Sequence, residues 1–96
     1  MSLFYSKTIT IPRGAWVNIH SLQELIDAGV EPGDQLMIKC INRSVMRVAE
    51  GDLEPDETTA FNTYSSNDVH VDDANSQALW VKFPVNSGKI LVGYAP

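Results

Sequence analysis

The side chains with chemistry to offer in this 96-residue chain are few: two histidines, His20 and His70, one cysteine, Cys40, and a scatter of carboxylates. A nucleophilic site needs one of the imidazoles beside a serine or Cys40, with a carboxylate to orient it. No Gly-x-Ser-x-Gly elbow is present to present such a serine. Cys40 falls in the apolar row of an extended run and reads as a small core residue, because a reactive thiol needs an exposed, electropositive setting. His70 and Asp72 would share a strand face, but two ligands fall short of the three or four that zinc takes. Asp52, Glu54, Asp56 and Glu57 offer oxygen ligands without the glycine-punctuated loop of a calcium motif. Paired carboxylates can hydrolyse glycosides, yet a chain this short has little material for the cleft. Glycine-rich phosphate loops are missing too. The expectation is a chain without catalytic residues, metal or cofactor, and not an enzyme.

Three other side chains stand out by position. Trp16 and Trp80 fall on strand faces opposite the most apolar rows, and Met37 does the same behind Leu36 and Ile38. Such residues cover the second face of a sheet, fill a subunit interface or, for tryptophan, stack on a sugar. Trp16, Trp80 and Met37 are therefore the candidate interface residues.

The elements that must position them read as short strands. Lys7–Ile11 alternates polar and apolar residues, and Pro12-Arg13-Gly14 breaks the run. Ala15–Ile19 is a second run. Ser21-Leu22-Gln23-Glu24 fits a capping box, which predicts one short helix over Ser21–Ala28, with Leu22, Leu25 and Ile26 facing a sheet and Gly29 as its left-handed cap. Glu31-Pro32-Gly33-Asp34 predicts a type II turn. Gln35–Asn42 and Val45–Ala49 are expected to pair as a hairpin across Asn42-Arg43-Ser44, and Ala78–Phe83 with Lys89–Tyr94 as a second one across Asn86-Ser87-Gly88. The polar stretch from Gly51 to Gln77 is too long to be one loop, so short strands are expected near Ala60–Tyr64 and Asp68–Val71. Leu36, Ile38, Val48, Leu79, Val81 and Ile90 are the expected core. The fold class is mainly β: a single domain over residues 1–96, an antiparallel β-sandwich or small barrel with one short helix.

Length and charge bound the rest. A domain of this size has a radius of gyration of about 12 Å. The first 48 residues carry five basic and four acidic side chains, net +1, and the remainder two basic and eight acidic, net −6. A total of −5 disfavours nucleic acid and anionic lipid as partners. No apolar run approaches the roughly 20 residues of a spanning helix. The start lacks the basic segment and apolar core of a secretion signal, so synthesis in a cytoplasm is expected and a membrane is not.

Two family resemblances add to this reading. Gly29-Val30-Glu31-Pro32-Gly33-Asp34-Gln35-Leu36-Met37-Ile38 resembles the turn and strand of AbrB-like swapped-hairpin regulators, over residues 11–38, which would imply DNA binding. The basic cluster of those regulators is not matched here. The longer resemblance runs from Gln35 to Tyr94. The Ile38–Val45 stretch with its Asn42-Arg43-Ser44 link, then Ala49-Glu50-Gly51, Pro55, the Leu79-Trp80-Val81-Lys82 strand and the Ser87-Gly88 turn before Ile90-Leu91-Val92 are similar to the small β-sandwich proteins of tailed-bacteriophage virions. That resemblance implies a structural or accessory head or tail component located in the virion. Its partners would be itself or other virion proteins. Carbohydrate binding through Trp16 or Trp80 is a further alternative to the regulator.

Overall fold

The computed structural model describes residues 5–31, 34–41, 43, 45–56, 58–71 and 78–94. Among these residues eight strands form two four-stranded sheets. The first has the order β1 (Tyr5–Ile11), β8 (Gly88–Tyr94), β3 (Leu36–Cys40), β6 (Val69–Val71). The second has the order β2 (Val17–Asn18), β7 (Leu79–Lys82), β4 (Met46–Glu50), β5 (Asn62–Tyr64). Among the described residues all ladders are antiparallel, and apart from an isolated parallel bridge between Arg13 and Phe83 no backbone pairing crosses between the sheets, so the fold is a sandwich and not a closed barrel. The radius of gyration is 12.4 Å.

Of the successive connections only β4 to β5 stays within a sheet, and every other link crosses from one sheet to the other. The pairs β1·β8, β2·β7, β3·β6 and β4·β5 nest inside one another, as if one long hairpin had been wrapped around a core. That is a jelly-roll arrangement. It corrects both expected hairpins. β3 already has β8 on one edge and β6 on the other, and β8 lies between β1 and β3. β7 likewise lies between β2 and β4. With both edges taken, β3 has no ladder to offer β4, nor β7 to β8. The backbone around the link shows this directly: Ile41 N donates to Lys89 O at 3.1 Å and Cys40 N to Asp68 O at 3.2 Å.

The period-two rows form the core as expected. Leu36, Ile38 and Cys40 on β3 are fully buried, as are Leu79 and Val81 on β7 and Ile90 and Val92 on β8; Val48 on β4 is 1% exposed. Ile9, Ile11, Met46 and Phe83 complete the two inner faces. The strands expected within the polar stretch are β5 and β6.

The helical segment differs in detail. Asn18 Oδ1 accepts from His20 N at 3.1 Å and turns the chain into a 3-10 turn over Ile19–Ser21, which cuts β2 to two residues. The Ser21 hydroxyl donates back to Asn18 O at 2.9 Å, and the capping box does not form. The helix α1 (Gln23–Asp27) starts after Leu22, without a side-chain cap. Leu25 is buried and Leu22 packs on the core, but Ile26 is exposed, because one and a half turns present only a narrow face. The helix ends as expected: Gly29 has φ 95°, Val30 N donates to Leu25 O and Gly29 N to Ile26 O, the two bonds of a Schellman motif. Asp34 N donates to Glu31 O at 3.1 Å, closing the next turn, whose central Pro32 and Gly33 lie outside the described residues. Asn42, Ser44 and Asp72 also lie outside them, and with Asp72 the expected His70–Asp72 pairing.

Candidate functional site

The outer face of the second sheet gathers most of the side chains that could meet a ligand. Arg47 on β4 stands opposite Lys82 on β7, and Ala49 stands opposite Trp80, which in turn faces Asn18 on β2. Because side chains alternate, this row points away from the buried Val48 and Val81. Trp16 enters from just before β2 and Phe61 from just before β5, at the two edges of the sheet. Their rings meet at 6.2 Å between centroids, tilted by 59°. The Arg47 guanidinium lies over the Phe61 ring at 4.9 Å and the Lys82 ammonium over Trp16 at 5.8 Å. Such cation–π contacts fix the position of a charge while leaving N–H groups for an acceptor.

The segment between β4 and β5 folds over this face. Trp80 Nε1 donates to Gly51 O at 3.0 Å, and Ala49 and Pro55 are buried. Asp56 stiffens the segment: its Oδ1 accepts from Thr58 N at 2.8 Å, Thr58 Oγ1 at 2.7 Å and Thr59 Oγ1 at 3.1 Å. The Thr58 bonds, then that of Thr59, hold the Asp56 carboxyl below the ordinary carboxylate range. A groove of about 460 Å³ remains, lined by Trp16, Arg47, Pro55, Asp56, Phe61 and Lys82. Trp80 is thus engaged by its own chain, whereas Trp16 borders an open groove.

Met37 lies on the opposite side of the molecule. It stands across from Val71 on β6 and Gly93 on β8, and the adjacent row is Val69, Lys39 and Leu91. Val69 and Val71 are 44% and 55% exposed. Met37 and Leu91 are half-buried, and Gly93 adds no side chain. No helix or strand of the described residues packs across this band, and β6 is an edge strand. The three expected interface residues therefore divide: Trp16 and Trp80 share one face, and Met37 belongs to the other.

Between the sheets the fold assembles a third group. Tyr64 on β5 and His70 on β6, the edge strands of opposite sheets, join through a 2.8 Å hydrogen bond between the hydroxyl and Nδ1, with the rings edge to face. His70 Nε2 lies 3.6 Å from Glu50 Oε1. That distance is too long for a hydrogen bond, and among the described residues the buried Nε2 has no hydrogen-bond partner. The Tyr64–His70 bond clips the two sheets at their open edge. A hollow of about 260 Å³ adjoins them, lined in part by Glu50, Asn62 and His70. His20 is 3% exposed beneath the helix. Burial pushes its imidazole below the ordinary value, opposed by its hydrogen bond with the Glu31 backbone and by the Asp34 carboxylate. Cys40 is buried. Among the described residues no three or more His, Cys, Asp or Glu side chains are grouped to hold a metal ion, and no helix is long and apolar enough to cross a membrane.

Sequence reasoning placed Trp16 and Trp80 on one kind of face by alternation. It missed Phe61, Arg47 and Lys82 as their neighbours, and it missed the Tyr64–His70 pair. The alternation of Arg47 and Lys82 against Val48 and Val81 was the available signal; their juxtaposition depends on the β4–β7 register.

No protein family matches the sequence, and no curated protein matches it. Solved structures do match the fold. A cupin-2 domain containing protein from Shewanella frigidimarina superposes with a TM-score of 0.59 at 8% identity, over 97% of this chain and 71% of that one. An RmlC-like cupin family protein with a double-stranded β-helix fold from Methanocaldococcus jannaschii gives 0.60 at 16% identity, over 97% and 70%. A protein from Neisseria meningitidis gives 0.55 at 9% identity, over 96% and 74%. At such identities the likeness is one of architecture: the chain folds as a β-sandwich similar to that of cupin domains.

Proposed function

We propose that the protein is a non-catalytic assembly component that acts through protein–protein contact, as a head or tail accessory protein of a tailed-phage virion. The observation that carries the contact role is the band formed by Met37, Val69, Val71 and Leu91 on the first sheet, mostly apolar with Lys39 among them, and partly exposed along an edge strand. Edge strands with apolar neighbours invite a further chain, and burying such a band is favourable at about 25 cal/mol per Å² before the cost of association. The opposite face has its own covering segment, so the two faces are not equivalent. The virion assignment is supported by the resemblance over Gln35–Tyr94.

Light scattering on the full chain at micromolar concentration, with binding to purified capsid and tail particles, tests this reading. Self-association or particle binding that is lost in Val71→Asp supports it. A strict monomer that binds neither particle overturns both the contact role and the virion assignment. The regulator alternative predicts salt-dependent DNA binding, against which the net charge of −5 weighs.

A further inference from the structure

The groove on the second sheet has a different character from the apolar band. It brings together two cations, two aromatic rings, a proline and a carboxylate. Among the described residues no carboxylate lies within ion-pair distance of Arg47 or Lys82; their contacts are with the ring faces. Two of the seven basic side chains of an acidic protein thus stand side by side on one face, held by aromatic rings and open to an external acceptor.

We propose that this groove binds a sugar acid, a pyranose ring carrying a carboxylate. Charge selects the anion. Among the described lining residues Arg47 and Lys82 bring two positive charges and Asp56 one negative, a surplus of one. A carboxylate balances that surplus, whereas a phosphomonoester at about −1.5 to −2 exceeds it. The arginine fork pairs with a carboxylate in two parallel hydrogen bonds, and Lys82 adds a point charge beside it. The walls select what carries the anion. Trp16 and the 44% exposed Phe61 offer apolar surface to the C–H face of a sugar ring. Asp56 uses Oδ1 on Thr58 and Thr59, and Oδ2 is left to accept from ring hydroxyls. A purely apolar acid would leave Asp56 Oδ2 without a donor, a cost that a polyhydroxylated ring avoids. The volume of about 460 Å³ suits one or two sugar units. This site lies on the face opposite the apolar band and is independent of the assembly reading.

The probe is tri-galacturonate, compared with neutral galactotriose, free galacturonate and an acidic peptide, on the ¹⁵N-labelled full chain. The two indole N–H signals separate the tryptophans, with Trp16→Phe assigning them. The expected result is that tri-galacturonate moves the Trp16 signal and leaves the Trp80 signal, bonded to Gly51 O, in place. Arg47→Gln should weaken binding at least about tenfold, as loss of a charge-assisted hydrogen bond does. Lys82→Gln provides the same test if Arg47→Gln loses amide dispersion. Binding of free galacturonate together with the trimer identifies a terminal sugar acid as sufficient; binding of the trimer alone identifies a chain. Absence of any shift with either uronate at millimolar concentration overturns the proposal. So does equal binding of galactotriose or of the acidic peptide, or binding unchanged in both charge variants.

Discussion

Gly88→Ala is expected to destabilise the fold by overpacking. Gly88 opens β8 opposite Ile11, and a Cβ built there would overlap the edge of the Phe83 ring at Cδ1, Cε1 and Cζ. At Gly14, Gly29 and Gly51 a Cβ has open space, and a substitution there meets the strain of a positive φ instead of a steric overlap. Phe83 has little room to yield. Its side chain is fully buried, its backbone bridges Arg13, and its carbonyl accepts from Gly14 N at 3.0 Å. Relief therefore requires an off-rotamer ring or a shift of β8, which lies between β1 and β3. Overpacking of this kind costs about 1–3 kcal/mol. In a domain of this size that lowers Tm by roughly 4–24 °C. Differential scanning calorimetry of the single variants and of Gly88→Ala/Phe83→Leu measures both the cost and its origin. The smaller side chain makes room for the methyl, so the pair should be less damaging than the sum of its singles by about 0.5–3 kcal/mol. A Gly88→Ala protein within about 0.5 kcal/mol of the parent, or a pair that is simply additive, would refute the close packing of Phe83 on β8.

Ile38→Ala and Leu79→Ala, both at fully buried positions, should each cost about 2–5 kcal/mol in urea unfolding; a loss under half a kcal/mol would mean the inner face is wrongly assigned. Tyr64→Phe removes the partner of His70 Nδ1 at a site where His70 is 7% exposed, and should cost about 1–3 kcal/mol by the same assay. The depressed His20 gives a pH dependence of definite sign. Because its folded-state value lies below the ordinary 6.5, the unfolded chain binds the proton more readily, so its contribution to stability is full above that pH and falls as pH drops through it. Urea midpoints on either side of pH 6.5 should show the fall, and His20→Gln should flatten it; an unchanged slope in that variant would place the titration elsewhere.

What the sequence discloses follows from the range of the interactions involved. Alternation is local, so Leu36, Ile38, Val48, Leu79, Val81 and Ile90 read correctly as core from single strands. The left-handed Gly29 is local as well. Strand partners are not. Asn42-Arg43-Ser44 and Asn86-Ser87-Gly88 carry turn chemistry that suits a hairpin or an arch between sheets equally, and the choice is made by β8 and β6 occupying both edges of β3. The failed capping box shows one local motif displacing another: Asn18 captures His20 N, and Ser21 then turns its hydroxyl toward Asn18 O. The same limit governs the sites. Trp16 and Trp80 were visible by parity, but Phe61 meets Trp16, and Arg47 meets Lys82, only through the ladder order of the second sheet. Met37 was visible as a second-face residue, and the neighbours that make it part of a band, Val69 and Val71, arrive from β6 across the sandwich.

The proposed contact role puts partners on the outer face of the first sheet. Hydrogen–deuterium exchange of the full chain, at a dilute and an assembling concentration and with bound capsid or tail particles, tests it most directly. Association should slow exchange at Val69–Val71 on the edge strand and at the adjoining Met37, and Val71→Asp should abolish the effect. Protection confined to the Trp16 face, or exchange at β6 unchanged when the protein is bound, would contradict it.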